Sequence, residues 1–134
     1  MGADLVVVTG ASGYIGSHVV SNLLSKGKNV RATVRDVNDP ERVEHLRNLK
    51  IEETGSLEIV EMDLFDSKSV DSAMTGATDV IHTAAAVIVR SKNPQAKIVD
   101  PSVIGTKNVI SAIEKSGTVE RFVHSSSTAA IRPE

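Results

Sequence analysis

Residues 5–16 read LVVVTGASGYIG and decide the fold. The apolar, mostly β-branched run at positions 5–8 predicts a short buried strand, and the strand ends where Gly10 opens a turn. Beyond the turn, apolar side chains recur at four-residue spacing from Ile15 to Leu23, a pattern typical of an amphipathic helix. The stretch therefore predicts a strand, a glycine-rich turn and a helix in direct succession.

The same alternation of strand and helix continues along the chain. Further strands are predicted at 29–34, 57–60, 78–81 and 121–124, and further helices are predicted to open at Pro40, at Asp66 and Ser67, and at Pro94. Pro101 is expected to kink or split the last helix. Because strands that alternate with helices form parallel sheets, we expect one α/β domain over residues 1–134, a doubly wound sheet with strand order 3-2-1-4-5.

The composition excludes several classes of function. The chain has 134 residues and a formal net charge of −2, so no general basic field exists for nucleic acid or an anionic membrane. The longest nearly apolar run, Val80 to Val89, is too short to cross a bilayer as a helix. There is no cysteine, and His82 and His124 lack metal-site spacing, so we interpret them as hydrogen-bonded histidines at strand ends. We expect a cytoplasmic protein that binds no metal, no membrane and no nucleic acid.

Three glycines give the first turn a specific chemistry. In the strand–turn–helix context of a Rossmann fold, one glycine permits the turn, one lets a pyrophosphate approach the backbone, and one lets the helix lie close to the strand. The helix N-terminus adds unpaired N–H groups and partial positive charge. We therefore predict a dinucleotide site. The contacts expected from this segment are Gly10, Ser12, Gly13, Tyr14, Ile15 and Gly16.

The end of the second predicted strand indicates which dinucleotide is bound. Arg35 stands there, 19 residues after Gly16, where an acid reads a free ribose 2′-hydroxyl and an arginine reads a 2′-phosphate. Arg42 could add a second cation, or could be a surface partner of Glu41 or Glu44. Asp36 could instead accept from a ribose hydroxyl, so NAD stays open as the alternative. The arginine favours NADP.

Six segments together resemble a known family: 8–17 (VTGASGYIGS), 30–36 (VRATVRD), 62–64 (MDL), 80–86 (VIHTAAA), 105–109 (GTKNV) and 121–127 (RFVHSSS). They are similar to the extended short-chain dehydrogenases/reductases of the NAD-dependent epimerase/dehydratase superfamily, and in particular to the dihydroflavonol reductase and cinnamoyl-CoA reductase group. The resemblance spans the whole chain. It implies an oxidoreductase that moves hydride between a nicotinamide cofactor and a carbonyl or secondary alcohol of a small molecule.

The resemblance also implies roles for individual residues. Ser127 matches the family's catalytic serine. The implied cofactor contacts are Asp63 and Leu64 beside the adenine, and Thr83, Ala84, Ala85 and Ala86, of which the three alanines line the nicotinamide side.

The residues themselves leave other interpretations open. Asp63 follows a predicted strand end, where open α/β sheets place ligands, but it could equally cap the following helix. The three alanines could simply pack in a core. The serines at 125–127 could bind a substrate oxygen at the end of a strand or form a polar turn.

The chain departs from the family pattern in one respect. The family uses a tyrosine as general acid with a lysine four residues later, whereas the only tyrosine here is Tyr14, inside the glycine turn, with His18 four residues on. We therefore expect a fragment, cut before the later strands and the substrate-binding region, that binds cofactor but is nearly inactive alone. The last strand would then be a bare sheet edge, which predicts self-association.

Three other functions remain as alternatives. A sugar-nucleotide epimerase or a hydroxysteroid dehydrogenase would share this fold, because the discriminating residues would lie in the missing region. A non-enzymatic NADP sensor would need neither the tyrosine nor the lysine. A methyltransferase-like nucleotide site is disfavoured, since such a site usually has an acid where Arg35 stands.

Overall fold

The computed structural model describes residues 4–85 and 92–132. Its centre is a sheet of five parallel strands in the order β3-β2-β1-β4-β5. The strands are β1 (Leu5–Thr9), β2 (Asn29–Val34), β3 (Ser56–Glu61), β4 (Asp79–His82) and β5 (Arg121–His124). The predicted doubly wound α/β fold and its strand order are confirmed.

Helices connect the strands, and local chemistry sets where they begin. They are α1 (Tyr14–Ser25), α2 (Pro40–Arg47), α3 (Ser67–Met74) and α4 (Asp100–Ser116). The carboxylate of Asp39 accepts from the N–H of Glu41 ahead of α2, and that of Asp66 accepts from the N–H of Lys68 ahead of α3. Within the described ranges, no helix is both long and apolar enough to span a membrane.

Pro101 divides the last helical region, as predicted. A π-helical segment, Gln95–Val99, leads directly into α4, and Pro101 lies in the first turn of α4. The missing N–H of proline is tolerated in a first turn, because N–H groups there have no partner inside the helix. The change from π-helical to α-helical hydrogen bonding therefore occurs just before the proline.

Apolar side chains pack on both faces of the sheet. Side chains alternate along a strand, so Val6 and Val8 of β1 pack with Leu24 of α1 on one face, while Val7 packs with Val109 of α4 on the other. All five are buried. Each face has its own core, and the carboxyl ends of the strands remain open between the two helix layers.

Strand β5 is the less protected edge of the sheet. All four of its residues are exposed, among them Phe122 and Val123. Exposed apolar edge strands favour pairing with another chain. Self-association through this edge stays a prediction.

Candidate functional site

A cleft of about 440 Å³ opens at the carboxyl ends of β1 to β4. This is where open α/β sheets bind their ligands. Its lining includes most of the predicted contacts: Gly10, Ser12, Gly13, Arg35, Arg42, Asp63, Leu64, Thr83, Ala84 and Ala85. The lining also includes four residues that the sequence patterns did not indicate as contacts: Thr33, Val34, Met62 and Phe65. They stand at or just beyond the predicted ends of the second and third strands, and that position is the signal that could have identified them.

The remaining predicted residues lie elsewhere. Tyr14 and Ile15 line a separate shallow groove beside Ile81, although they also form the start of α1. Gly16 is buried behind the turn, and Ala86 lies outside the described residues. The hydroxyl of Ser127 accepts from the N–H of Ala129 at 3.1 Å, in an exposed turn away from the cleft lining. This local geometry fits the alternative in which the serines at 125–127 form a polar turn. A catalytic role for Ser127 stays a prediction.

The glycine turn is shaped by two close approaches. Gly10 has a φ of +64°, and a Cβ there would lie 2.8 Å from the backbone nitrogen of Ala84. At Gly16, a Cβ would lie 2.1 Å from the carbonyl oxygen of Gly10. No side chain fits at either position, so the N-terminus of α1 lies directly against the turn that follows β1.

The start of α1 leaves two backbone donors without a partner in the described part of the chain. Gly13 is the N-cap residue and provides no side-chain cap. The N–H groups of Tyr14 and Ile15 donate to no acceptor in the described part of the chain. Unpaired N–H groups at a helix N-terminus, together with the helix dipole, favour an anion.

Thr9, which the sequence analysis did not single out, organises the floor of the cleft. Its hydroxyl is fully buried and accepts from the N–H groups of Thr83 and Ala84 at 3.0 and 3.1 Å. Both lone pairs are then used, so the hydroxyl proton is donated to Nδ1 of His82, 2.6 Å away. Nδ1 must therefore be unprotonated. This network fixes the segment after β4 opposite Gly10.

The environment of His82 stabilises the same neutral form. Burial lowers the pKa of His82 to about 4, with a further contribution from nearby His124. The interpretation of His82 as a hydrogen-bonded strand-end histidine is confirmed. The side chain of His124 is exposed at the end of β5, and its described contacts are ring contacts with His82, at 5.2 Å, and Phe122.

The lowered pKa makes a testable contribution to stability. As pH falls, the unfolded chain takes up a proton near the usual pKa of 6.5, whereas the folded chain does so only near 4. The contribution of His82 to the free energy of unfolding is therefore fully present above about pH 6.5 and decreases as the pH falls towards 4. Between pH 8 and pH 5 the free energy of unfolding should fall by about 2 kcal/mol from this group. His82→Asn keeps an acceptor for Thr9 but does not titrate. In urea unfolding, the free energy of unfolding of this variant should therefore fall by about 2 kcal/mol less between pH 8 and pH 5 than that of the unmodified chain.

The control is His45→Asn, which alters an exposed histidine on α2. Its unfolding free energy should change with pH as that of the unmodified chain does. An unchanged pH dependence in His82→Asn would contradict the neutral, buried assignment.

Two cations lie at the end of the cleft beyond β2. Arg35 is exposed and makes no ion pair or side-chain hydrogen bond with any described residue. Nε of Arg42 contacts a carboxylate oxygen of Asp39 at 3.1 Å, so Arg42 forms a surface ion pair, but with neither Glu41 nor Glu44, the two acids that the alternative interpretation named. Five N–H donors make up a guanidinium, and this contact occupies one of them.

Asp36, the acid that could instead accept from a ribose hydroxyl, is engaged locally. A carboxylate oxygen of Asp36 accepts from the N–H of Asn38 at 2.9 Å, and Asp36 does not line the cleft. The charged side chains that line this end of the cleft are therefore arginines.

The turn after β3 forms the opposite wall. Met62, Asp63, Leu64 and Phe65 all line the cleft there. A carboxylate oxygen of Asp63 accepts from the N–H of Phe65 at 2.9 Å. The cap of α3 is Asp66, so the alternative of Asp63 as the helix cap was wrong.

Comparisons with known proteins agree with this architecture. Residues 7–134 match the 3-beta hydroxysteroid dehydrogenase/isomerase family. The chain is 42% identical over 128 residues to cinnamoyl-CoA reductase CAD2 of Medicago truncatula, covering 96% of this chain and 39% of the relative. It is 39% identical over 132 residues to a bifunctional dihydroflavonol 4-reductase/flavanone 4-reductase of Malus domestica, covering 98% and 38%.

A solved structure shows the same fold. MoeE5 in complex with UDP-glucuronic acid and NAD superposes with a TM-score of 0.66 at 31% identity, over 95% of this chain and 37% of that one. The chain spans about two fifths of the length of the curated relatives named above. The resemblance to the dihydroflavonol and cinnamoyl-CoA reductase group is confirmed, and the chain belongs to the 3-beta hydroxysteroid dehydrogenase/isomerase family, a family of oxidoreductases.

Proposed function

We propose that this chain is the NADP-binding part of an oxidoreductase that transfers hydride between NADPH and a carbonyl or secondary alcohol of a small molecule. The observation that carries the proposal is the cleft that is lined by two arginines and by the glycine turn, including Gly13, the N-cap residue of α1. The family match and the NAD in the complex of MoeE5 support a nicotinamide dinucleotide as the ligand.

The pyrophosphate would lie against the glycine turn. A Cβ at Gly10 or Gly16 would meet backbone atoms, so the turn and the helix N-terminus can stay close together only with glycines. The free N–H groups of Tyr14 and Ile15 would stabilise the negative charge.

The preference for NADP rests on the ribose end of the cleft. Arg35 is free to pair with a 2′-phosphate in a bidentate geometry, and Arg42 still has donors beyond its contact with Asp39. Since Asp36 is engaged with Asn38, its availability for a ribose hydroxyl is reduced.

The nicotinamide would lie towards the segment after β4. Ala84 and Ala85 have small side chains there, which leave room for a flat ring, and the Thr9 network holds their backbone in place. When bound, the nicotinamide would supply the hydride. The one tyrosine, Tyr14, lies outside this cleft, so general acid catalysis would need residues that this chain does not place there. We propose that the chain alone binds cofactor and turns over little or no substrate.

A sugar-nucleotide enzyme is the second candidate. The observation that favours it is the UDP-glucuronic acid bound, with NAD, by MoeE5, which is 31% identical to this chain.

Cytoplasmic location and self-association through the exposed edge strand β5 remain proposals.

Calorimetric titration of the chain with NADPH and with NADH tests the proposed function. We expect both to bind, with NADPH bound at least tenfold more tightly, because one charge-assisted hydrogen-bonded contact is worth about 1.5–3 kcal/mol. Binding of neither dinucleotide would reject the cofactor site. Tighter binding of NADH would reject the NADP assignment alone.

A further inference from the structure

The turn formed by residues 62–66, here called the base-side turn, lies against helix α4. Nδ2 of Asn108 donates to the carbonyl oxygen of Leu64 at 2.6 Å, in a half-buried contact. A side-chain amide bonded to a backbone carbonyl fixes both the distance and the direction of the peptide group that it contacts. The position of Leu64 is therefore set partly by a helix that is distant from it in sequence.

Gly105 lies three residues before Asn108, on the same face of α4. It is buried, and a Cβ there would lie 3.4 Å from both Cβ and Cδ1 of Leu64. Leu64 therefore packs directly on the helix backbone while Asn108 holds its carbonyl. The side chain and the main chain of one residue are both fixed by α4.

Helix α3 holds the other end of the base-side turn. The hydroxyl of Ser69 accepts from the N–H of Asp63 at 3.0 Å, and it lies 2.8 Å from the carbonyl oxygen of Asp66. Asp63 and Phe65 are exposed, so neither is held by burial in the core. Side chains of two helices thus hold a surface turn whose residues form one wall of the cleft.

We propose that Asn108 is a positioning residue, which fixes the base-side turn so that its wall fits the adenine half of the dinucleotide. This inference rests on the proposed function, because it assumes that the cleft binds a dinucleotide. Asn108 itself does not line the cleft. It acts through Leu64, and its loss would shift the wall without removing any lining side chain.

Asn108→Asp tests the inference, since the variant keeps the size of the side chain and replaces the N–H donor with an acceptor facing the carbonyl of Leu64. The probes are NADPH, adenosine 2′,5′-bisphosphate, which carries the adenine half, and reduced nicotinamide mononucleotide, which carries the other half. We expect affinity for NADPH and for the bisphosphate to fall by the same factor, about tenfold. Affinity for the mononucleotide should stay unchanged.

Two further variants keep the test independent of folding. Asn108→Ala removes the donor without adding an acceptor. It should also lose affinity for NADPH and for the bisphosphate but not for the mononucleotide, and the loss should be smaller than in Asn108→Asp. Asn22→Asp makes the same chemical change on an exposed position of α1 and should bind all three probes as the unmodified chain does. Urea unfolding of each variant establishes that it is folded under the conditions of the binding titrations.

The outcomes separate this inference from the proposed function. Unchanged binding of the bisphosphate by folded Asn108→Asp would overturn the positioning role, and so would an equal loss for all three probes, because a general structural defect would affect both halves. Failure of the unmodified chain to bind NADPH or the bisphosphate would overturn the proposed function, and this inference with it.

Discussion

Gly16→Ala is expected to destabilise the chain by about 3 kcal/mol and to lower its affinity for NADPH more than tenfold. Gly16 lies inside α1, where alanine would ordinarily be the better helix former. Here the added Cβ would lie 2.1 Å from the carbonyl oxygen of Gly10, 2.8 Å from its carbonyl carbon and 3.0 Å from Cα of Ala11. All three are backbone atoms, so the strain is relieved only if α1 moves away from the turn.

Such a movement would carry the free N–H groups of Tyr14 and Ile15 away from the proposed pyrophosphate site. Urea unfolding and calorimetric titration with NADPH measure the two effects separately. Gly117→Ala is the matched control: a Cβ at Gly117 meets nothing within 4 Å, so this change should cost about 1 kcal/mol of helix-end stability and leave NADPH affinity intact. If Gly16→Ala binds NADPH normally, the close approach of helix and turn is unimportant for the cofactor.

Arg35→Ala is expected to reduce affinity for NADPH by about ten- to a hundredfold and to leave affinity for NADH within about twofold. The reason is that the free guanidinium of Arg35 would contact the 2′-phosphate, which NADH lacks. Arg42→Ala should show a smaller loss in the same direction, because one of its donors is already occupied by Asp39. Titration of each variant with both dinucleotides measures the preference.

Arg47→Ala is the control for loss of a positive charge on the same side of the domain. Arg47 is exposed at the end of α2 and does not line the cleft. The variant should keep the full preference for NADPH. A parallel loss of NADPH and NADH affinity in Arg35→Ala would assign Arg35 to a contact common to both dinucleotides and contradict its role in selecting NADP.

The fold could be predicted from the sequence because its signals are local. The apolar run at 5–8, the alternation at 29–34, the proline at the start of α2 (Pro40) and the cap at Asp66 each act within a few residues. Strand β2 has the predicted bounds, and β4 is displaced by one residue. The strand order followed from the doubly wound Rossmann pattern that the glycine turn and the strand–helix alternation indicate, in which right-handed crossovers place helices on both faces of the sheet.

The parts of the site that could not be predicted depend on contacts between distant segments. Thr9 pairs with His82 across 73 positions, and Asn108 pairs with Leu64 across 44. A threonine at the end of a strand and an asparagine in a helix carry no local sign of such partners. The engagement of Asp36 with Asn38 also depends on the precise turn that the chain adopts after β2.

The proposed function requires that NADP binds in this cleft with its 2′-phosphate at the arginines. At 134 residues, the chain suits two-dimensional NMR, in which NADP⁺ and NAD⁺ are titrated in parallel. We predict that both ligands shift the amides of Gly10 and Gly13, that NADP⁺ alone shifts the side-chain Nε–H signals of Arg35 and Arg42, and that the amide of Val123 in β5 shifts with neither. Identical shifts for the two ligands at the arginines would rule out their role in binding the 2′-phosphate, and unshifted glycine amides would rule out the dinucleotide site.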